Sequence, residues 1–385
     1  MKKRFKRNLW IILLLIVCKL IWVFTMHDSG ADVLSGKSRN DLLSRRQYLV
    51  NKVNNGKMNL TAMPSYIPTA FKREWLIGTN SMFAAALTNI AFIYPQTREE
   101  ALEIVRELIN NMLDDEARQF EKLFWGEDAL DSLSGDNGNI GYLGHLNWML
   151  GAYKFLGGDA SFDDLHDNIS AALYRRLNDS PGLCLKTFPY GLLFVPDNVV
   201  VVASLANYAR LHDGKYQDVV TRWVEHAREN WLDPELKLLS FHLDENCLQV
   251  PGVRGSGVGW NSFYLPFIDE QFAAEQFTQI KKHFVQDIVI TGIREFPGGV
   301  SGRGDFGSGP VLFGLSTSGT GFGMAGAGHA NDAELLDKLL WTGELAGFSV
   351  EWNGERHYLV APLVGEAIIL AMKTLRVWDD RYVTK

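Results

Sequence analysis

Tyr142 and His145 stand three residues apart, one helical turn, so a phenol and an imidazole share a face. An imidazole titrates near neutrality and is suited to carrying a proton. Four carboxylates, Asp136, Asp197, Glu295 and Asp305, stand in loops or at helix starts. Two such groups on either side of a sugar can cleave a glycosidic bond by acid–base catalysis, their separation setting the stereochemical outcome. Arg254 and Arg303 offer fixed positive charge, Asn198 an amide, and Trp260 and Tyr358 flat faces for a sugar ring or a hydrocarbon. Tyr190, Phe263, Tyr264, Phe296 and Phe306 add to those faces. The polar residues come from six segments, most of them near the expected start of an apolar helix. Six segments converging at one end predict a central cleft.

Most of these residues have a plainer reading. Asp136 and Asp197 fit helix N-caps, because a short carboxylate accepts from the unpaired N–H groups of a first turn. His145 has aromatic neighbours and fits a satisfied core histidine, and Glu295 beside Arg294 fits a structural ion pair. Gly302, Gly304 and Gly307 have dinucleotide-loop spacing, but no strand precedes them in a βαβ unit. Arg303-Gly304-Asp305 spells an adhesion tripeptide too short to carry meaning. No His-x-x-x-His pair, G-x-S-x-G elbow or P-loop occurs, so no metal and no organic cofactor is expected.

The elements that must position these groups are helices, alternating in character. Leu76 to Ile93 is nearly all apolar and Arg98 to Phe124 is amphipathic; Asn139 to Leu156 precedes Ser161 to Leu177, and Asp197 to Leu211 precedes Tyr216 to Trp231. Gly255 to Phe267 then precedes Asp269 to Ile290, Ser308 to Ala327 precedes Asp332 to Leu345, and Pro362 to Val377 closes the chain. Helices apolar all round must be buried, and amphipathic ones must cover them. An inner ring wrapped by an outer ring satisfies both. The expected fold is all-α, an (α/α)6 toroid, with a helix at Arg39 to Val53 available as the last outer member. A stacked superhelix is the alternative. Ser349 to Trp352 and Glu355 to Leu359 flank Asn353-Gly354 and read as a decorating β-hairpin.

Residues 1–26 carry Lys2, Lys3, Arg4, Lys6, Arg7 and Lys19, no acid, and an apolar run from Leu9 to Phe24. The run is short for a spanning helix and Lys19 interrupts it, so a signal peptide competes; the absence of a small-residue cleavage site favours an uncleaved membrane anchor. The basic flank places the rest of the chain outside the cytoplasm, periplasmic in a Gram-negative host. Beyond the anchor, 32 basic residues face 45 acidic ones, a net of −13. That excess disfavours nucleic acid and other polyanions and leaves neutral or cationic substrates open. Cys184 and Cys247 allow at most one internal disulfide. No linker composition divides the remainder, giving an anchor at 1–26, a stalk at 27–65 and one barrel domain at 66–385, with self-association open.

The run Asn139-Ile140-x-Tyr142-x-Gly144-His145-Leu146-Asn147-x-Met149-x-Gly151-x-Tyr153 is followed by Pro196-Asp197-Asn198 and by Trp231-Leu232-Asp233-Pro234. Across roughly Trp75 to Val285 the chain resembles the linalool dehydratase/isomerase family. The resemblance implies an extracytoplasmic (α/α)6 barrel with its site in the barrel mouth and the family's histidine at His145. Phe194 and Ala203 stand where that family has active-site cysteines, and Ser65 to Trp75 offers no clear counterpart to its acidic and tyrosine residues. The expected activity is cofactor-free lyase or isomerase chemistry on a hydroxylated terpenoid-like or saccharide substrate. In it His145 moves the proton, Asp197 orients it, and Asp136 and Tyr142 hold a hydroxyl. The alternatives are a carbohydrate hydrolase, lyase or epimerase using a pair among Asp136, Asp197, Glu295 and Asp305, and a non-catalytic binding or assembly subunit.

Overall fold

Fifteen α-helices arise among the described residues of the computed structural model, which are 2–383 without 306, with backbone alone for 2–7 and 9. In chain order they are α1 (Lys2–Met26), α2 (Gly30–Leu34), α3 (Arg39–Asn54), α4 (Thr69–Ile93), α5 (Arg98–Leu113), α6 (Asp115–Trp125), α7 (Ile140–Phe155) and α8 (Asp163–Asp179). They continue with α9 (Val195–Leu211), α10 (Gln217–Asn230), α11 (Gly255–Ile268), α12 (Glu270–His283), α13 (Thr317–His329), α14 (Ala333–Gly347) and α15 (Leu363–Lys373). The apolar members α4, α7, α9, α11, α13 and α15 pack each against the next, and α15 packs back on α4. The ring therefore closes, which removes the stacked superhelix. Outside it lie α5, α8, α10, α12 and α14, each antiparallel to the inner helix before it, and α3 covers α15 as the sixth.

The sequence accounts for the two layers. The inner α7 buries nearly every side chain from Ile140 to Tyr153, whereas α5 buries one stripe through Ala101, Ile104, Val105, Leu108, Ile109 and Met112. Glycine sets the spacing where α11 meets α13: a Cβ on Gly259 would come within 2.9 Å of Phe322 Cβ and 3.2 Å of the Gly319 carbonyl oxygen. Residues 27–65 lie against the barrel, with Val33, Leu42, Leu49, Val50, Met58 and Met63 in its core.

Local chemistry corrects several element boundaries. The expected helix from Arg98 to Phe124 is two, because Asp114 adopts an extended conformation (φ −67°, ψ 150°). The helix expected to reach Ile290 stops at His283; the β-branched stretch beyond it folds into β-structure instead. The last apolar pair's inner helix begins at Thr317 rather than Ser308, with the Ser316 hydroxyl accepting from Gly319 N–H at 3.0 Å. Among the described residues the nine short strands are β1 (Leu193–Phe194), β2 (His242–Leu243), β3 (Gln249–Val250), β4 (Val285–Asp287), β5 (Thr291–Ile293), β6 (Val311–Leu312), β7 (Leu315–Ser316), β8 (Ser349–Trp352) and β9 (Glu355–Tyr358). Strands β1, β2 and β3 form one antiparallel sheet, and β4–β5, β6–β7 and β8–β9 are hairpins. Asn353 and Gly354 both take positive φ at the tip of the last, as a tight type I′ turn demands.

Ring closure brings the two ends of the chain together over a buried charge network. The Arg45 guanidinium on α3 donates to Asp41 at 2.7 Å and to Glu344 on α14 at 2.8 Å, and lies 3.5 Å from Glu366 on α15. Arg356 and Lys373 also pair with Asp41. Burial alone would raise the Asp41 carboxyl, but Lys373, Arg45 and Arg356 hold it well below the ordinary range.

Candidate active site

Every inner helix begins at the same end of the ring, called the mouth here; the opposite end is the base. Solvent reaches Gly78, more than two turns inside α4, and Trp260 and Gly321, each more than one turn inside its helix, so the mouth is a depression. Asp197 stands in it, in the first turn of α9 after Pro196. Its neighbour Asn198 is buried and clamps the incoming loop: its side-chain oxygen accepts from Leu185 N–H at 2.7 Å, and its amide donates to the Leu185 and Phe194 carbonyls at 3.0 Å. The clamp sets Thr187 over Asp197, where the Thr187 hydroxyl donates to Oδ2 at 2.5 Å. Burial pushes the Asp197 carboxyl up to about 6, partly offset by that bond.

Glu74, on the first turns of α4, joins this depression. It retains open surface and is yet desolvated by protein around it, a combination that a cleft produces. Burial first, then the negative charges of Asp197 and Asp305, push its carboxyl up to about 7. Glu121 on α6 is fully buried behind them and accepts from Tyr142 N–H at 2.9 Å, capping α7. Burial and the Asp197 charge push it up to about 8. Three carboxyl groups are thus pushed toward neutrality, the Asp197 charge acting on the other two.

His145 lies at the floor, its Nδ1 2.9 Å from the Ser81 hydroxyl and its ring centroid 6.0 Å from that of Trp260. Burial pushes it down to about 4, so at neutral pH it is an uncharged imidazole. The same burial that unfits it as a neutral-pH proton donor brings the carboxyl groups into range. Its bonded partner is Ser81, whereas Asp197 is bonded by Thr187.

The structure separates the other expected residues. Asp136 is on the outer surface, its side chain 93% exposed and paired with Arg175 of α8 at 2.7 Å. Glu295 is buried and locked by Arg254 Nε at 2.6 Å, Ser256 N–H at 3.1 Å and the Ser256 hydroxyl at 2.9 Å. Asp305 pairs with the other end of Arg254 and accepts from Ser308 N–H at 2.8 Å; burial would raise it, but Arg254 and Ser308 hold it below its ordinary value. Arg254 thus spends its charge on two carboxylates at the rim. Tyr142 is buried with its hydroxyl donating to the Met112 carbonyl at 2.6 Å, and Tyr358 donates to Glu344 at 3.0 Å in the charge network of the ring seam. Arg303 is exposed on the loop before β6. Of the aromatic faces, Trp260 and Phe296 are partly open, Tyr190 is exposed, and Phe263 and Tyr264 are core; Phe306 lies outside the described residues. Phe194, Phe241 and His242, not anticipated, stack edge to face beside Arg254.

Glu74 and Glu121 were missed. Glu74 lies just before the apolar run that starts at Leu76, and Glu121 lies within the amphipathic stretch from Arg98 to Phe124; neither position carries a motif that marks it. A disulfide between Cys184 and Cys247 ties the loop before α9 to the one before α11. Among the described residues no group of three His, Cys, Asp or Glu side chains is arranged to hold a metal ion.

No family model matches the chain. It is similar to solved (α/α)6 barrels. One is an unsaturated glucuronyl hydrolase specific for heparin, with TM-score 0.54 and 12% identity over 89% of this chain and 96% of that one. Another is a family 105 glycoside hydrolase of C. acetobutylicum ATCC 824, with TM-score 0.53 and 14% identity over 86% and 99%. These findings overturn the resemblance to the linalool dehydratase/isomerase family, and the lyase or isomerase reading falls with it. At this level of identity the likeness is one of fold: the chain is an (α/α)6 barrel built like those glycoside hydrolases.

Proposed function

We propose that the chain is a carbohydrate-active hydrolase that cleaves a glycosidic bond with Asp197 and Glu74. The observation that carries this is two carboxyl groups in one depression, Asp197 poised at about 6 by burial and Glu74 at about 7 by burial and by the charges of Asp197 and Asp305. Between those values the pair holds one proton. One member is then an acid for the leaving oxygen, and the other a base or nucleophile on the far side of the sugar. Trp260 offers a ring face at the floor, and Phe194 and Phe241 offer edges at the rim. His145, uncharged, acts as a hydrogen-bonding wall, and Arg254 organises the rim through Glu295 and Asp305.

The two similar structures, named for hydrolases, favour this reading over other chemistries. The substrate preferred here is a neutral or amino sugar, because Arg254 is neutralised and the chain beyond the anchor is acidic. Residues 1–26 would serve as an uncleaved membrane anchor, with 27–65 packed against a barrel domain at 66–385 outside the cytoplasm. The Cys184–Cys247 disulfide fits an oxidising compartment.

The test is turnover on a panel of neutral oligosaccharides, amino-sugar oligosaccharides and saccharides bearing an unsaturated glucuronyl group. Asp197→Asn and Glu74→Gln should each lower the rate by ~10²–10⁴, and the wild-type profile should be bell-shaped with limbs near 6 and 7. Wild-type rates in both variants would remove the assignment.

A further inference from the structure

The anchor helix leaves the barrel at its mouth. Lys19 Nζ donates to the Glu344 carbonyl at 3.1 Å and sits 3.2 Å above the Phe348 ring, and Trp22 Nε1 donates to the Ser349 carbonyl at 2.7 Å. Further along, His27 and the Gly30 N–H both reach Asp337 at 3.0 Å. Helix α14 runs from the base at Ala333 to the mouth at Gly347, so α1 descends it in the opposite direction. Residues before Lys19 therefore project past the mouth, and Trp10 to Val17 are all exposed.

Length then constrains depth. From Leu9 to Cys18 the helix is clear of the barrel for about 15 Å, at about 1.5 Å per residue. A bilayer hydrocarbon core is about 30 Å thick. A spanning α1 cannot hold the barrel away from the membrane; it draws the mouth rim into the interface, with Lys19 and Trp22 at the depth where snorkelling and aromatic side chains settle.

The surface of the mouth agrees. Outside α1, every exposed large apolar side chain among the described residues lies in a connection between an outer helix and the next inner one, or in the turn beside it; the base connections expose none. Longer loops at the mouth explain part of this asymmetry, but not its form. Three tips carry adjacent apolar pairs: Ile288 and Val289 at 81% and 92% exposure, Leu312 and Phe313 at 56% and 87%, and Leu359 and Val360 both at 65%. Val289 and Ile290 stand lower on the flank, in a cleft with Phe24 of α1 and with Asp337, Lys338 and Trp341 partway along α14. Consecutive apolar residues at loop tips mark a surface that meets another apolar phase.

We propose that the mouth faces the membrane that α1 enters and rests its apolar tips in that bilayer's interface. The substrate is then a saccharide carried on a membrane lipid. This substrate class rests on the function proposed above; the docking itself does not. The depression holding Asp197 and Glu74 opens toward the bilayer, so a lipid-linked sugar reaches it without leaving its leaflet, whereas a soluble saccharide must enter from the side.

Docking is measured on the full chain in phosphatidylcholine vesicles. With Cys18→Ser as background, single cysteines replacing Val289, Phe313 and Asp213, the last at the base, are labelled with an environment-sensitive fluorophore and challenged with lipids carrying a quencher at defined acyl depth. The labels at 289 and 313 should be quenched several-fold more than the label at 213; a label on Cys18 of the unaltered chain reports the anchor. Quenching at 18 but not at 289 or 313 overturns the docking and leaves the anchor standing. No quenching at 18 overturns both. If the labels report docking, a Val289→Glu/Phe313→Glu variant should lose several-fold turnover on glycolipid vesicles and keep its rate on a soluble saccharide; equal loss on both overturns the substrate class.

Discussion

Asp197→Asn should make the protein more stable at neutral pH while abolishing its chemistry. Its folded carboxyl titrates at about 6 against an ordinary value of 3.8. The folded state therefore prefers the neutral acid. Well below pH 3.8 both states are protonated and the group costs nothing. As pH rises, the unfolded chain ionises first, and the cost grows until the folded group ionises too. That linkage amounts to about 1 kcal/mol at pH 4.5 and about 3 kcal/mol at pH 7.5. Solvent reaches Asp197, and the first turn of α9 favours an anion by about 0.3–1 kcal/mol, so both figures shrink. Relief of the Asp197 charge on Glu74 and Glu121 acts the other way. Asparagine keeps an acceptor for Thr187. The net expectation is a variant that gains about 1 kcal/mol more at pH 7.5 than at pH 4.5, read by urea unfolding of the two proteins at both pH values with the disulfide intact. A stability difference that does not move with pH, or that moves the other way, would refute the claim that Asp197 is held desolvated for chemistry.

Arg45→Ala should cost about 3–5 kcal/mol in urea unfolding, because it leaves Asp41, Glu344 and Glu366 buried without their shared cation. Serine at both Cys184 and Cys247 frees a loop of 63 residues' separation and should lower stability by up to about 4 kcal/mol, with faster proteolysis between the two positions than elsewhere. Asn198→Ala strands the Leu185 N–H and carbonyl and should cost about 2–3 kcal/mol; turnover should fall further than Asn198→Asp makes it fall, since aspartate still accepts from Leu185 N–H. His145→Gln should leave both limbs of the pH–rate profile in place, because the imidazole titrates at about 4; a lost limb would return the proton to the histidine.

Much of the fold was legible in the chain. Helices α7, α9 and α11 are apolar nearly all round, so each had to be inner, and the amphipathic helices that follow them had to be outer. Asn353-Gly354 fixed a hairpin, and the run from Leu9 to Phe24 marked a helix set apart from the core. Less of the site was legible. Of the four carboxylates singled out, Asp197 alone stands in the depression without an arginine partner among the described residues; Glu74 lies beside Lys72 and Arg73, and the charge there masked the true start of α4.

What the sequence determined by itself is the alternation of buried and half-buried helices, because periodicity along one chain states how much of each helix must meet apolar neighbours. What only the tertiary structure decided is which groups meet. Arg254 satisfies both Glu295 and Asp305, more than 40 positions away in the chain, and Arg175 takes Asp136 to the outer wall. The protonation of Asp197, Glu74 and His145 is likewise a property of the closed ring: a carboxyl or imidazole group carries its ordinary affinity in the chain and acquires another only when packing strips its water and sets other charges beside it.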